Sequence, residues 1–540
     1  MAPSPNPSNF DQLVEALLTP DFYPHPVEVI TTIETHISIV FLTGAYAYKL
    51  KKPVNFGFLD FSTLEKRHQF YQLEFELNRR TAPQLYLEVL PIFQQQKGFS
   101  LNTPSTSVEA APVEYLLKMR QFDPNCVLGR YLQQHELSTL QTQQLAQQIA
   151  QLHLEAEKVD KQSPWGTPES IQQPMLDNFP PLLEVFTHPE TQYKLRQLHR
   201  WTEFQVEQLK ETLIQRRASG FVCACHGDLH LDNITLIDEQ PVLFDGIEFN
   251  EAFRWIDRMS DLAFLLVDLV DRKQPALANQ ILNQYLQQTG DYAGLGVLPL
   301  YQVYRNLVRA KITALRAQQL SHSLEVQQTL ERAQNFILQA EAVAYQLPQP
   351  QLILMQGVAG SGKSYVAEKI APLCQGIVVS SDIERKRLFG IQPLQRPTES
   401  QRPSLYGLEM NRKTYGQLHK LTNTLLQQQQ TVIVDATNLK KDHRKVFYRL
   451  AQQHQATLRI ISVQTDLKQI AQQIEHRQKL NNTPSDATVE VMQFQSQQFE
   501  AVTPEELAEF NLPNQTLWTL SNTDEASLSP FKKWLELPIA

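Results

Sequence analysis

A chain of 540 residues is too long for one compact core, and its length predicts about three or four domains. Hydrophobic residues at 42% and charged residues at 20% predict a soluble protein with real cores. A net charge of −8 argues against a general binder of nucleic acid or anionic membrane, though a local basic pocket for phosphates stays open.

Four cysteines, Cys126, Cys223, Cys225 and Cys374, are too scattered for a disulfide framework. Cys223-x-Cys225 lacks the second pair that would suggest zinc, so all four read as core thiols in a reducing compartment. The start shows neither a basic nor an apolar signal region, and the apolar run 262–270 is broken by Asp268 and too short for a bilayer. A cytoplasmic location is the expectation.

In chain order, about Val27 to Lys51 reads as strands, with Gly44 as a turn. Thr63 to Arg80 reads as a helix with Phe70, Leu73 and Leu77 on one face. Strands are expected at Leu85 to Phe93 and Val113 to Phe122, then mostly helix from Ser138 to Phe221. Strands return at Val222 to Cys225 and Pro241 to Phe244, and helices dominate from Trp255 to about Tyr345. This order predicts a small sheet lobe followed by a larger helical lobe. Residues 346–351, polar and with two prolines, read as a linker. Beyond them apolar strands at Leu352, Ile377, Thr431 and Leu458 alternate with helices, the pattern of a parallel sheet covered on both faces. Short glutamine runs, such as 427–430, read as solvated helix surface.

The first chemical constellation lies at His226-Gly-Asp228-Leu-His230-Leu-Asp-Asn233, followed after a hairpin by Asp245-Gly-Ile-Glu248. Transfer of a γ-phosphoryl group requires a base for the acceptor hydroxyl and oxygen ligands for Mg²⁺. Asp228 is the candidate base, and Asn233 and Asp245 are the candidate metal ligands. His226 and His230, four apart, would instead suit zinc if the segment were helical. Gly227 and the Asp and Asn side chains favour a loop.

This segment closely resembles the catalytic and metal loops of aminoglycoside phosphotransferases and choline-kinase-like enzymes, and the likeness extends over about residues 25 to 340. The resemblance implies a lysine on an upstream strand for the α- and β-phosphates, which points to Lys49, paired with Glu74 or else Glu76 on the next helix. Lys51 and Lys52 stand beside it. No G-x-G-x-x-G is present, so Thr35 to Ser38 is the expected phosphate loop. Glu114 and Tyr115 are the expected hinge to adenine, and Asp261 a structural acid.

The second constellation, Gly357-Val358-Ala359-Gly360-Ser361-Gly362-Lys363-Ser364, matches G-x-x-x-x-G-K-[ST] in full, between an expected strand and helix. Its glycines let backbone N–H groups turn inward around a polyphosphate at a helix N-terminus. Lys363 would neutralise the β- and γ-phosphates and Ser364 would ligate Mg²⁺. Asp382 ends the next strand, where a carboxylate would accept a hydroxyl proton or cap the following helix. Arg385 follows one turn on. Asp435 stands where an acid would bind Mg²⁺, and Thr437-Asn438 would orient the acceptor. Arg477, before a polar Pro-containing turn, would stabilise transfer from a lid or else lie in surface pairs.

Over about residues 350 to 505 this pattern resembles the polynucleotide-kinase, chloramphenicol-phosphotransferase and zeta-toxin-like P-loop kinases. That resemblance implies phosphoryl transfer from ATP to a hydroxyl with Asp382 as base. The tandem order resembles a bacterial family fusing the two kinase types.

The expectation is therefore two domains. Residues 1–345 would form an α+β protein-kinase-like bilobal fold, and residues 352–540 an α/β P-loop NTPase with a parallel sheet. Both would use ATP and Mg²⁺ on hydroxyl acceptors, most simply small molecules. The competing expectations are an active P-loop kinase with an ATP-sensing partner domain, or a nucleic-acid-end kinase.

Overall fold

The computed structural model describes all residues except 1–6, 58, 96–97, 102–110, 347–348, 394, 481–485, 487, 522–524 and 536–540. Two compact units emerge, one of Met1–Pro181 with Thr202–Asp268, the other of Leu182–Trp201 with Leu269–Ala540.

Helix α1 (Pro7–Leu17) leads into a six-stranded antiparallel sheet in the first unit. Its strands are β1 (Thr31–Glu34), β2 (Ser38–Leu42), β3 (Tyr46–Lys51), β4 (Tyr86–Gln94), β5 (Phe99–Ser100) and β6 (Glu114–Arg120), in the order β1-β2-β3-β6-β4-β5. Successive strand side chains point to opposite faces. Leu116 accordingly joins a core with Leu13 and Leu17 of α1, while Leu117 joins Tyr71 of α2 (Leu64–Asn78). The same rule puts Lys49 and Lys51 on one face of β3. Thr63 starts α2 by accepting the Lys66 N–H.

Further along, a capping box of Ser138 and Gln141 starts α3 (Thr139–Glu155). Strand β7 (Val222–Ala224) precedes a hairpin of β8 (Ile234–Ile237) and β9 (Gln240–Leu243). Residues Trp255 to Asp257, expected as helix, form β10 (Trp255–Asp257) antiparallel to β7. The helix α4 (Arg258–Asp271) begins only after Asp257, whose carboxylate accepts the Met259 N–H at 2.9 Å.

In the second unit, helices α5 (Pro275–Thr289), α6 (Leu298–Ala317) and α7 (Ser323–Tyr345) precede a five-stranded, wholly parallel sheet. Its strands are β11 (Gln351–Gln356), β12 (Ile377–Ser380), β13 (Val432–Asp435), β14 (Thr457–Val463) and β15 (Leu517–Leu520), in the order β12-β13-β11-β14-β15. Helix α8 (Lys363–Cys374) packs Val366 and Ile370 against Ile353, Val378, Ile433 and Ile461. Helices α9 (Ser381–Phe389), α10 (Leu408–Gln427) and α11 (Val489–Gln497) complete the surroundings of the P-loop. The fold class thus agrees with expectation: a kinase-like sheet-plus-helix arrangement and a P-loop NTPase sheet. Strand β15 was not anticipated, because its four residues are too few for a clear period.

Candidate functional site: two phosphate-gripping centres

In the first unit, Lys49 donates to Glu74 at 2.7 Å and to Asp245 at 2.9 Å. Burial alone would lower the Lys49 ammonium, but the carboxylates of Asp245, Glu74 and Glu248 outweigh it and hold its pKa well above the usual lysine range. Glu76 is exposed, which leaves Glu74 as the helix partner. Lys51, from the same strand face, is fully buried and pairs with Glu74 and Glu248. Burial works to raise the Glu74 carboxyl, yet the two lysines together bring it down to about 2. Glu248, sharing Lys51, is instead pushed up by burial. Lys51 also lies 4.7 Å from the Phe61 ring and 5.3 Å from that of Tyr71.

The hairpin brings the other ligands together. Ile234 faces Leu243 across β8 and β9, and the Phe244 N–H donates to the Asn233 carbonyl at 3.0 Å, so Asn233 and Asp245 stand side by side. Asn233 gives its side-chain N–H to Asp228 Oδ2 at 2.9 Å, which leaves its own amide oxygen as an acceptor. Asp245 adopts a left-handed backbone (φ 60°), its N–H donating to the Tyr86 hydroxyl. Gly227 also needs its positive φ of 86°, since a Cβ there would come 2.7 Å from the Phe253 carbonyl oxygen. Behind this loop Asp261 accepts the N–H groups of His226 and Gly227 at 3.0 and 2.9 Å and meets His153 at 3.1 Å, both side chains fully buried. It is the structural acid that the sequence suggested, anchoring the loop that carries Asp228.

The zinc alternative loses its geometry. Residues 226–230 are not helical, and the His226 ring lies buried with Nε2 donating to the Phe244 carbonyl at 2.9 Å. Burial lowers its pKa, against the pull of Asp261 and Asp228. His230 instead meets Asp228 at 3.2 Å.

In the second unit the P-loop leaves β11 and opens α8, with Gly360 and Gly362 at φ 83° and 96°. Lys363 Nζ donates to the Val358 carbonyl at 2.7 Å, poised over the loop's own backbone. Ser364 donates to Asp435 Oδ2 at 2.7 Å, which pairs the two predicted metal ligands. Burial raises the Asp435 carboxyl, with Asp382 adding to the rise and Lys363 opposing it. Asp382 is half-buried at the start of α9. Arg385 is buried; its Nη1 donates to Asn411 and its guanidinium lies 5.4 Å from the Tyr406 ring centroid.

Two family models match this chain. Residues 111–298 match the phosphotransferase enzyme family, and residues 352–502 match the AAA domain. Uncharacterized proteins Rv2004c of Mycobacterium tuberculosis (strain ATCC 25618 / H37Rv) and Mb2027c of Mycobacterium bovis (strain ATCC BAA-935 / AF2122/97) are each 28% identical to it over 382 residues, covering 67% of this chain and 70% of theirs. Among solved structures, a choline/ethanolamine kinase family protein from Mesorhizobium loti aligns at 12% identity over 62% of this chain and 97% of its own, with TM-score 0.37. A gluconokinase from Sinorhizobium meliloti 1021 aligns at 19% identity over 35% and 97%, with TM-score 0.22. The two matched segments support a phosphotransferase with a nucleotide-binding P-loop. Among the described residues, no helix is long and apolar enough to cross a membrane.

The phosphotransferase-family match begins after β3, so Lys49 is placed by the fold and not by the match. Several expectations need correction. Glu114 and Tyr115 are not at a hinge: they begin β6, whereas the chain leaves the sheet at the far end, after Arg120. The Glu114 carboxylate is buried and taken by Arg67, with Nη2 at 2.6 Å, and Tyr115 stacks on His68 at 4.0 Å. Asn438 is fully buried with its amide on the Met355 carbonyl at 2.8 Å, so it builds the loop and does not face an acceptor. Thr437 meets the Tyr415 hydroxyl at 3.3 Å. The Arg477 side chain lies outside the described residues. Thr35 to Ser38, the expected phosphate loop, form the tight turn between β1 and β2, with the Thr35 N–H donating to the Ser38 carbonyl at 2.9 Å.

Sequence reasoning missed three groups. Lys51 with Glu248 is visible only as i,i+2 spacing from Lys49. Gln495 of α11 accepts the Ala359 N–H of the P-loop at 2.7 Å, across 136 residues, with no local signal. Tyr406 donates to the buried Asp486 at 2.9 Å, which also holds Lys386 and Arg396.

Proposed function

We propose that this protein is a bifunctional ATP-dependent phosphotransferase, moving the γ-phosphate of ATP to hydroxyl groups of small-molecule acceptors at two separate sites. Residues 1–345 supply one site and residues 352–540 the other, with 346–351 between them. The observation that carries the reading is Lys49 held at once by Glu74 and Asp245. It gathers a phosphate-binding cation, its helix partner and a metal-type acid at one point.

At the first site Asp228 accepts the proton of the acceptor hydroxyl, and His230 and the Asn233 amide orient it. The acceptor oxygen bonds to the γ-phosphorus as the bond to the bridging oxygen breaks, and ADP leaves. Lys49 holds the α- and β-phosphates. Asn233 and Asp245 fit a hard cation, offering one amide and one carboxylate oxygen, and Mg²⁺ there would neutralise phosphate charge. Adenine meets the chain as it leaves the sheet, near Gln121, whose side chain accepts the Gly44 N–H at 2.9 Å.

At the second site the amides after Gly357 cradle the phosphates and Lys363 swings from the Val358 carbonyl to them. Ser364 and Asp435 fit Mg²⁺ by the same chemistry. Asp382 takes the acceptor proton, Arg385 with Tyr406 and Asn411 walls the acceptor space, and Arg477 supplies charge from the lid. Acceptor transfer from γ-labelled ATP, screened over sugars, nucleosides and aminoglycosides, tests this with Asp228→Asn and Asp382→Asn. Each variant should silence a different set of labelled products by about 10²- to 10⁴-fold. One substitution silencing everything would reduce the protein to a single kinase.

A further inference from the structure

Strand β12 lies at the edge of the parallel sheet, paired with β13 on one side only. Edge strands leave backbone N–H and C=O groups that something must satisfy. Here helix α5 does so with side chains. Asn283 Oδ1 accepts the Val378 N–H at 2.7 Å, and its Nδ2 donates to the Gly376 carbonyl at 2.9 Å. Asn279, one turn earlier on the same helix face, donates to that carbonyl as well, at 3.2 Å. Both asparagines are buried at 3% and 6% exposure, so a polar pair has been placed where apolar side chains would ordinarily pack.

The same helix grips the other end of this stretch. Arg387, in the last turn of α9, donates Nη2 to the Gln287 carbonyl at 2.7 Å, satisfying one of the open carbonyls that end α5. The chain then turns at Gly290 (φ 71°), where a Cβ would come 2.6 Å from Arg387 Nη1. A little further on, Gln428 donates to the Ala293 carbonyl at 3.4 Å. Asp382 and Arg385 therefore lie between two anchor points, Val378 and Arg387, both held by α5. Yet residues 275–298 fall inside the phosphotransferase-family match, not the AAA-domain match.

We propose that Asn283 is a positioning residue of the P-loop phosphotransfer site: by bonding Val378 and Gly376 it fixes the strand from which Asp382 follows, so that a helix of the phosphotransferase-family segment is a working part of the P-loop centre. This rests on Asp382 acting there. The P-loop centre then depends on chain that lies before residue 346, and changes in α5 reach Asp382 without touching nucleotide.

The test uses the full chain with Asp228→Asn, which silences the first site, and compares Asn283→Leu with Asn279→Leu. Both remove a buried amide of the same size from the same helix face, but only Asn283 bonds Val378. Turnover of ATP, nucleotide affinity and amide exchange over residues 377–390 are measured together. Asn283→Leu should lower kcat on the order of 10- to 100-fold, as misplacement of a reacting group does, with nucleotide affinity within about twofold. It should also speed exchange over 377–390, and Asn279→Leu should do little of either. Unchanged exchange and kcat in Asn283→Leu would overturn the proposal. So would equal losses in both variants with nucleotide affinity falling in step, which would mean helix packing alone. If the Asp228→Asn parent shows no turnover, the role of Asp382 fails, and the exchange comparison alone then decides whether Asn283 fixes this strand.

Discussion

On the proposed reading the two centres grip phosphate by different means. The P-loop would do it with eight consecutive residues, whose glycines at positive φ turn the backbone between β11 and α8. The kinase-like centre assembles Lys49, Glu74, Asp228, Asn233 and Asp245 from a strand, a helix, a loop and a hairpin, nearly 200 residues apart by the reckoning of the Lys49–Asp245 contact, whose separation is 196. The first arrangement depends on backbone conformation, the second on tertiary packing. A single side-chain change should therefore damage the first chiefly in function, and the second in stability as well.

The largest expected effect sharpens that contrast. Lys363→Ala should lower P-loop turnover by about 10³-fold, or ~4 kcal/mol, while the melting temperature stays put. A large drop in melting temperature would break the contrast. Next comes Lys51→Met, which leaves Glu248 and one oxygen of Glu74 buried without a cation and should cost about 3–5 kcal/mol of stability in denaturant titration. Lys49→Met should spare stability by comparison, because Lys51 still holds Glu74 and Asp245 is half-exposed, and should instead cost turnover at the first site. Equal melting losses in the two variants would erase the difference between a catalytic and a structural lysine.

A smaller effect addresses the hinge. Glu114→Ala strands the Arg67 guanidinium, fully buried, and should cost about 3 kcal/mol of stability with KM for ATP unchanged. A raised KM would return Glu114 to the nucleotide. The smallest effect is acid sensitivity. The Glu74 carboxyl sits at about 2 in the folded protein against its ordinary 4.5, so its contribution is present above about pH 4.5 and is lost as the pH falls toward 2. Melting curves of Glu74→Gln should accordingly be flatter than those of the unsubstituted chain over that window.

Legibility in the sequence follows the same divide. The P-loop and the strand–helix alternation were readable because each is local: a fixed spacing forces a fixed backbone. The closeness of Asp228, Asn233 and Asp245 was readable because a hairpin keeps them near one another in sequence. Lys49 needed the fold to separate it from Lys51, since both share one face of β3 and both pair with Glu74, and the third partner, Asp245 for Lys49 and Glu248 for Lys51, distinguishes them. Glu114 was misread because sequence marks a strand end without saying which end meets the ligand. Asn438 was misread because a polar residue after an acid can satisfy a backbone carbonyl as readily as a substrate. Gln495 and Asn283 had no local signature, since each completes backbone groups more than 90 residues away.

The most direct test counts nucleotides. Equilibrium binding of a non-hydrolysable ATP analogue with Mg²⁺ to the full chain should give two per chain. Lys363→Ala should remove one and the Asn233→Ala, Asp245→Ala pair the other, each leaving its neighbour's affinity intact. A single nucleotide per chain, removed by either set of substitutions, would contradict the account.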